Sequence, residues 1–151
     1  MFQHWPKRDP EKNYFMVPNE IYCLGLNYRE IAVYTYLLRC EDRKTYQCYP
    51  SYRTIGKAVG MCENTVRKNV CSLEEKGLIC TEPTMITTKD GRPRNGSLRY
   101  TIRPIQEALN SYYQRQMAQA EEAAAKARTE KQLAKLNDRK PIHIENEGVS
   151  A

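Results

Sequence analysis

Apolar side chains recur at helical spacing over residues 50–60, in the middle of the chain. Ser51 is a favourable N-cap residue, and Gly60 suits the left-handed position that ends a helix. Between them, three apolar residues fall on one face of a helix: Ile55, Ala58 and Val59. The pattern therefore predicts a short helix that begins after Ser51 and ends at Gly60.

A second helix is predicted from Glu63 to Lys76, after a turn formed by residues 60–62. Its apolar residues lie on one face: Val66, Val70 and Leu73. The remaining surface is polar and mostly cationic, with Asn64, Arg67, Lys68 and Cys71. Gly77 fits a left-handed stop, and residues 78–79 begin an extended segment. Two helices joined by so short a turn have the spacing of a helix-turn-helix unit.

Another helix is predicted upstream of this pair. Asn27 is placed as its N-cap and Glu30 as the third helical residue, in a capping-box arrangement. Its apolar stripe consists of Ile31, Tyr34, Leu37 and Leu38. The apolar residues around Pro18 predict a short extended piece that runs into a turn.

Downstream of Gly77 the pattern becomes that of extended chain. LICTEPTMITT predicts a strand weakened by Pro83, and TKDGRPRNG predicts a loop with Asp-Gly and Asn-Gly turn signals. SLRYTIR alternates apolar Leu98, Tyr100 and Ile102 with Arg99, Thr101 and Arg103. Cys48 and Tyr49 predict a very short strand before Pro50. We expect a β-hairpin whose basic loop carries Lys89, Arg92 and Arg94.

The last third of the chain is rich in strong helix formers. We predict one long helix that begins at Pro104 and stops near Asp138. Its apolar positions keep no steady heptad, so the preferred interpretation is a solvated helix stabilised by pairs such as Glu122 with Lys126; a dimerisation helix is the alternative. The predicted organisation is a flexible arm (1–13), one domain (14–103), a long helix (104–140) and a disordered tail (141–151).

The net charge of +6 is concentrated around the helix pair. Residues 50–103 carry 10 basic and 5 acidic side chains, residues 1–49 carry 7 and 6, and residues 104–151 carry 7 and 7. The excess is thus +5 in the middle segment and +1 and 0 in the flanking segments. A phosphate-binding surface would need its positive charge where the helix pair is.

Signals for other classes of protein are weak. No stretch approaches the roughly 18 apolar residues of a membrane span, and the start has no apolar signal-peptide core, so we expect a cytoplasmic protein without a membrane partner. The six cysteines are expected to be reduced thiols, and without a C-x-x-C pair they do not indicate a metal site. No phosphate loop, catalytic carboxylate pair or nucleophile–histidine pair is recognisable, so we predict no catalytic residues, no cofactor and no enzyme.

The order helix, helix-turn-helix, hairpin resembles the winged helix-turn-helix domain of bacterial DNA-binding proteins, above all the group found in replication initiators and regulators of plasmids, phages and conjugative elements. Roughly residues 17–79 carry the resemblance, with matches at Pro50-Ser51, Gly60-Met61, Thr65-Val66, Leu73 and Gly77-Leu78-Ile79. Tyr49 stands where tryptophan is usual. Cys62 replaces the serine that normally caps the second helix, which should weaken that cap by about 1 kcal/mol. The implied fold is mainly α with a small β-hairpin wing, followed by the long C-terminal helix.

By this resemblance the helix that starts at Glu63 enters the major groove, and the wing contacts backbone or minor groove. Asn64 can then pair with adenine and Arg67 with guanine. Residues better placed for phosphates are Thr65, Lys68 and Arg53. The candidate DNA-binding set is Arg53, Glu63, Asn64, Thr65, Arg67, Lys68, Lys89, Arg92 and Arg94. For each residue, a solvated polar side chain is the alternative.

Two further features allow more than one interpretation. Tyr46, Tyr49 and Tyr52 could stack on single-stranded bases, but packing is preferred, with Tyr49 against the core in the tryptophan position. Cys62, at a helix N-terminus near basic residues, should have a lowered pKa and could sense oxidation; an inert small residue is the preferred interpretation.

Taken with the resemblance, these patterns predict sequence-specific binding of double-stranded DNA, first of all by a transcriptional regulator of a bacterium or mobile element. A replication initiator or replication-accessory protein would use the same groove chemistry. A protein-interaction adaptor that uses the winged helix and the long helix is an alternative of another class. A homodimer through the C-terminal helix is the further partner considered.

Overall fold

The computed structural model describes residues 13–139. Nearly all of the arm predicted over residues 1–13 and all of the tail predicted over 141–151 lie outside this range. The described helices are a 3-10 helix (Asn19–Cys23), α1 (Tyr28–Cys40), α2 (Tyr52–Val59), α3 (Glu63–Glu75) and α4 (Ile105–Asn137). The strands are β1 (Gln47–Cys48), β2 (Ile79–Glu82), β3 (Met85–Thr87), β4 (Pro93–Asn95) and β5 (Arg99–Ile102). The predicted mainly α fold with a small wing and a long C-terminal helix is confirmed.

The N-terminus of α1 is held by the predicted capping box. The Asn27 side chain accepts hydrogen bonds from the backbone N–H groups of Arg29 and Glu30, both at 2.9 Å. In return the Glu30 carboxylate accepts from the Asn27 N–H at 2.8 Å. The residues of α1 that reach the core are Val33, Tyr34, Leu37 and Leu38, with Ile31 half-buried beside them. Local sequence therefore places this helix correctly.

Helix α2 also begins and ends as predicted. Ser51 accepts a hydrogen bond from the Thr54 N–H at 3.1 Å, and Gly60 ends the helix with φ of +73°. The predicted apolar face was wrong at one position, because Ala58 is exposed and Gly56 is buried in its place. The buried arc of the helix is centred between Ile55 and Gly56, and at 100° per residue Ala58 falls outside it.

Helix α3 packs its predicted face against α1 and α2, since Val66, Val70 and Leu73 are 0–1% exposed. Its N-cap residue, Cys62, makes no capping hydrogen bond to the backbone. The sulfur instead lies 3.1 Å from the Thr65 hydroxyl. The first N–H groups of α3 therefore lack the side-chain partner that Ser51 gives to α2.

Replacing Cys62 by serine is expected to raise the free energy of unfolding by about 1 kcal/mol, because serine is a far better N-cap. The matched variant Ser51→Ala removes the existing cap of α2 and should lower the free energy of unfolding by about the same amount. Urea denaturation of both variants and the parent measures these changes. A Cys62→Ser variant no more stable than the parent would contradict the assignment.

A buried ionic cluster joins the start of α1 to the end of α3. Glu30 is 1% exposed, and both of its carboxylate oxygens lie 2.8 Å from Lys76 Nζ. The Ser72 hydroxyl donates a further hydrogen bond to the same carboxylate. Burial acts to raise the pKa of Glu30, but the hydrogen bonds from Lys76, Ser72 and the Asn27 backbone, with the Lys76 charge, hold it below its ordinary value. The cluster fixes α3 against α1.

The wing differs from a simple hairpin. Strands β1, β5 and β2 form one antiparallel sheet in that order, with Tyr100 of β5 paired to Cys48 and Thr81. Strands β3 and β4 form a separate two-stranded tip. The interpretation of residues 88–96 as a loop was therefore wrong for β4. The segment around Pro83 interrupts the first ladder, and beyond it Met85–Thr87 has Pro93–Asn95 as its partner.

Tyr49 does not occupy a core position, so that prediction was wrong. Tyr49 is 54% exposed, whereas Cys48 is 4% exposed and its thiol lies 3.7 Å from the Leu37 carbonyl of α1. Successive side chains of extended chain point to opposite sides, and burial of Cys48 therefore turns Tyr49 outward. The predicted short strand lies one residue earlier than expected, at Gln47–Cys48.

The chain divides into two units between Tyr112 and Tyr113. In the first unit, the start of α4 contributes the buried residues Ala108 and Leu109 to the core. In the second unit, every described side chain from Tyr113 onward is exposed, and Lys126 Nζ lies 2.7 Å from Glu122 Oε1 as predicted. Among the helices described, none has the length and apolar character needed to cross a membrane.

Candidate nucleic-acid interface

The outer face of α3 carries the polar residues that the helical period predicts. Asn64, Arg67, Lys68 and Cys71 are all exposed. They lie opposite the buried valines and leucine, whose packing fixes the rotation of the helix. Of the polar residues in α3, Asn69 alone is buried, and its amide donates to the Thr65 carbonyl at 2.7 Å. The exposed face is therefore available for a ligand without rearrangement of the core.

Arg67 of α3 lies near Tyr52, the first residue of α2. Tyr52 is half-buried against the core, as predicted for the first turn of α2. Burial, with the nearby Cys71 thiol, raises the pKa of Tyr52, and Arg67 partly opposes this effect. The raised pKa keeps the Tyr52 hydroxyl neutral near pH 7.

A cleft of about 640 Å³ separates the wing from the first turns of α2 and α3. Arg53 of α2, Glu63 of α3 and Arg94 of β4 line it together. Ile86, which pairs with Arg94 across the tip, contributes an apolar wall. The structure thus brings three of the sequence-predicted candidates, from three separate elements, to one opening.

A second, more open hollow lies at the end of α2. Arg53 and Glu63 line this hollow too, and Lys57 joins them. Lys57 was not among the sequence candidates. Its spacing of one helical turn from Arg53 on the exposed side of α2 is the signal that could have identified it.

Lys89 and Arg92 lie away from the cleft, at the exposed end of the wing. There the chain reverses through a turn in which the Thr88 N–H donates to the Arg92 carbonyl at 3.0 Å, with Gly91 at φ of +74°. The predicted Asp-Gly turn is therefore present. These two basic residues sit in the turn that joins β3 to β4.

Thr65 lies in a different environment from the other α3 candidates. It is half-buried, and with Cys62 it borders a groove that also contains Tyr28 and Arg29 of α1. The Thr65 hydroxyl is the main cause that lowers the pKa of the exposed Cys62 thiol. The predicted direction of this pKa shift is correct, although its main cause is Thr65 and not the basic residues. Oxidation sensing by Cys62 stays a hypothesis.

The three tyrosines considered for base stacking do not share one environment. Tyr46 and Tyr49 are 57% and 54% exposed, whereas Tyr52 packs on the core. All six cysteines are free thiols. Within residues 13–139, no three His, Cys, Asp or Glu side chains are grouped so as to hold a metal ion.

Residues 24–79 match the sequence profile of a family described as Helix-turn-helix domain. The match runs from the end of the 3-10 helix to the first residue of β2, so it contains α1, α2 and α3. The chain therefore contains a helix-turn-helix domain, and strands β2 to β5 add the wing. No curated protein matches the sequence.

Several solved structures are similar. A possible transcriptional regulator from Methanosarcina mazei Go1 has 16% identity and a TM-score of 0.48, over 78% of this chain and 98% of that chain. A MarR-family regulator from Silicibacter pomeroyi has 14% identity and a TM-score of 0.39, over 83% and 80%. The MepR–DNA complex of S. aureus has 20% identity and a TM-score of 0.37, over 78% and 86%.

Proposed function

We propose that this chain binds double-stranded DNA sequence-specifically and acts as a transcriptional regulator of a bacterium or mobile element. The observation that carries the proposal is the exposed polar face of α3, with Asn64, Arg67 and Lys68, inside a helix-turn-helix domain. Helices of this kind lie in the major groove with their first turns toward base edges. The proposal includes no catalytic step.

Some residues of this surface are suited to base contacts, which give specificity, and others to phosphate contacts, which give affinity. Arg67 can donate two hydrogen bonds to guanine, and Asn64 can pair with adenine. Lys68 carries a point charge suited to phosphate, as do Arg53 and Arg94 at the cleft.

Selection of random duplex oligonucleotides by the purified protein tests the proposal. We expect an enriched motif of a few base pairs and an affinity that falls steeply with salt concentration. A palindrome with half-sites about one helical turn apart would indicate a dimer, for which the exposed helix beyond Tyr113 offers a contact surface. Absence of salt-dependent DNA binding would favour the protein-interaction adaptor.

Two variants of α3 should separate base contact from phosphate contact. Arg67→Ala is expected to cost about 1–3 kcal/mol at the selected motif and to relax the base preference at one position. Lys68→Ala should weaken binding to all sequences and reduce the salt slope by about 1. Lys131→Ala, which removes an exposed charge from α4, is the control and should bind like the parent. Equal affinities for all four proteins would contradict the assignment.

A DNA footprint of the bound protein distinguishes a transcriptional regulator from a replication protein. Protection of a promoter would support the regulator, whereas protection of iterated origin repeats would support a replication initiator or accessory protein. The contacts proposed for α3 would be the same in both cases, because the groove chemistry does not depend on what the bound site controls.

A further inference from the structure

The carboxylate of Glu63 occupies an unexpected place for a surface that binds a polyanion. Glu63 is the first residue of α3, is exposed, and lies between the two hollows described above. Arg53 borders both hollows, and Arg94 borders the one toward the wing. Within residues 13–139, Glu63 makes no ion pair with either arginine. The acidic side chain therefore remains unpaired at the entrance to the proposed interface.

A carboxylate and a guanidinium at the same opening respond to DNA in opposite ways. The two arginines are attracted to phosphates on the backbone, whereas the carboxylate is repelled by them. The major groove offers an acidic side chain one favourable class of partner, the exocyclic amino groups of bases. Glutamate accepts a hydrogen bond from the N4 amino group of cytosine.

We infer that Glu63 determines base preference by accepting a hydrogen bond from the N4 amino group of a cytosine in the major groove. The inference deepens the proposed function and rests on it, because it requires the first turn of α3 to lie in that groove. Arg53 and Arg94 hold the flanking backbone and thereby fix the position of the carboxylate. At a site without the cytosine, the same carboxylate is desolvated without a partner, and that duplex is rejected.

A purely structural role for Glu63 gives a different expectation. An acidic residue in the first turn stabilises a helix through the helix dipole, and its loss would change stability and leave base preference unchanged. Glu63→Gln distinguishes the two roles because it keeps the shape and removes the charge. A glutamine amide pairs with adenine, not with cytosine.

The test uses the full chain and two variants. Glu63→Gln is compared with Glu75→Gln, which removes another exposed carboxylate, from the last residue of the same helix. Each protein selects from random duplexes and is then titrated with its selected site and with that site changed at one base pair. We expect the parent and Glu75→Gln to prefer cytosine at one position by about tenfold.

Glu63→Gln is expected to prefer adenine at that position and to bind unselected duplexes more tightly than the parent, because a repelling charge is gone. A cytosine preference retained by Glu63→Gln, or a preference lost equally in Glu75→Gln, would overturn the inference while leaving DNA binding intact. If the parent binds no duplex in a salt-dependent way, the proposed function fails, and the inference fails with it. The two failures are thus distinguishable.

Discussion

Replacing Lys76 by methionine is expected to lower the free energy of unfolding by about 3 kcal/mol at neutral pH. Lys76 Nζ lies 2.8 Å from both oxygens of a Glu30 carboxylate whose side chain is 2% exposed. Methionine keeps most of the apolar stem but removes the cation. The carboxylate is then buried with its charge uncompensated, and that is the costly state.

The interaction between Glu30 and Lys76 is measured by a double-mutant cycle, with the free energies of unfolding taken from urea denaturation. Glu30→Gln removes the charge at the buried end, and the freed Lys76 amine, which is 26% exposed, can turn to water. We expect the double variant Glu30→Gln with Lys76→Met to be more stable than Lys76→Met alone, because it contains no buried charge. Additive effects of the two single changes would show that the side chains do not stabilise each other.

The pH dependence follows from the direction of the Glu30 pKa. Because the folded state holds this pKa below the ordinary value of 4.5, the carboxylate stabilises the fold above that pH. The stabilisation is lost as the pH falls through the lower folded-state pKa. In Lys76→Met the two contributions of Lys76 that lower the pKa of Glu30 are lost while burial still raises it. We therefore expect a higher Glu30 pKa than in the parent, and the loss of stability relative to the parent should shrink in acid. If the loss of unfolding free energy in Lys76→Met did not change with pH, an ionic origin of the effect would be contradicted.

Features set by neighbouring residues were predictable from the sequence. The Asn27 capping box, the Ser51 cap and the left-handed glycines at 60 and 77 each depend on residues within one helical turn. The same holds for the exposed face of α3, because three apolar residues at helical spacing determine which side is buried. The family match over residues 24–79 agrees with these local assignments.

Features set by distant residues were not predictable. Glu30 was predicted only as a capping residue, and its contact with Lys76 spans 46 positions of sequence. Strand β4 was missed because it pairs with β3, beyond the interruption at Pro83. At the site, the sequence predicted Arg53, Glu63 and Arg94 as separate candidates. Their position in one cleft depends on the packing of the wing beside α2.

A second large loss of stability is expected when Gly56 is replaced by alanine. Helix propensity alone predicts that alanine stabilises α2 by about 0.5–1 kcal/mol relative to glycine. The packing predicts the opposite, because a Cβ at Gly56 would lie under 3.0 Å from the Met61 carbonyl oxygen. This neighbour is backbone, so no change of side-chain rotamer removes the clash. We expect the free energy of unfolding to fall by about 2–3 kcal/mol.

The clash lies where α2 meets the turn before α3. The Gly56 carbonyl already accepts hydrogen bonds from the N–H groups of Gly60 and Met61, the latter at 2.9 Å, so the turn is folded closely onto the helix. To admit a methyl group, the turn must move away from α2, and α3 must follow because Cys62 connects them. DNA affinity should therefore fall in Gly56→Ala even at temperatures where the variant remains folded.

Ala58→Gly is the matched control, because it makes the reverse exchange at an exposed position of the same helix. Propensity predicts opposite signs for the two variants, whereas the packing predicts that both destabilise and that Gly56→Ala does so more. Thermal and urea unfolding give the stabilities, and titration of the folded variants with a selected duplex gives the affinities. A Gly56→Ala variant as stable as the parent and with parental affinity would show that the turn can move without displacing α3. In that case the close approach at Gly56 would not set the position of the helix proposed to enter the groove.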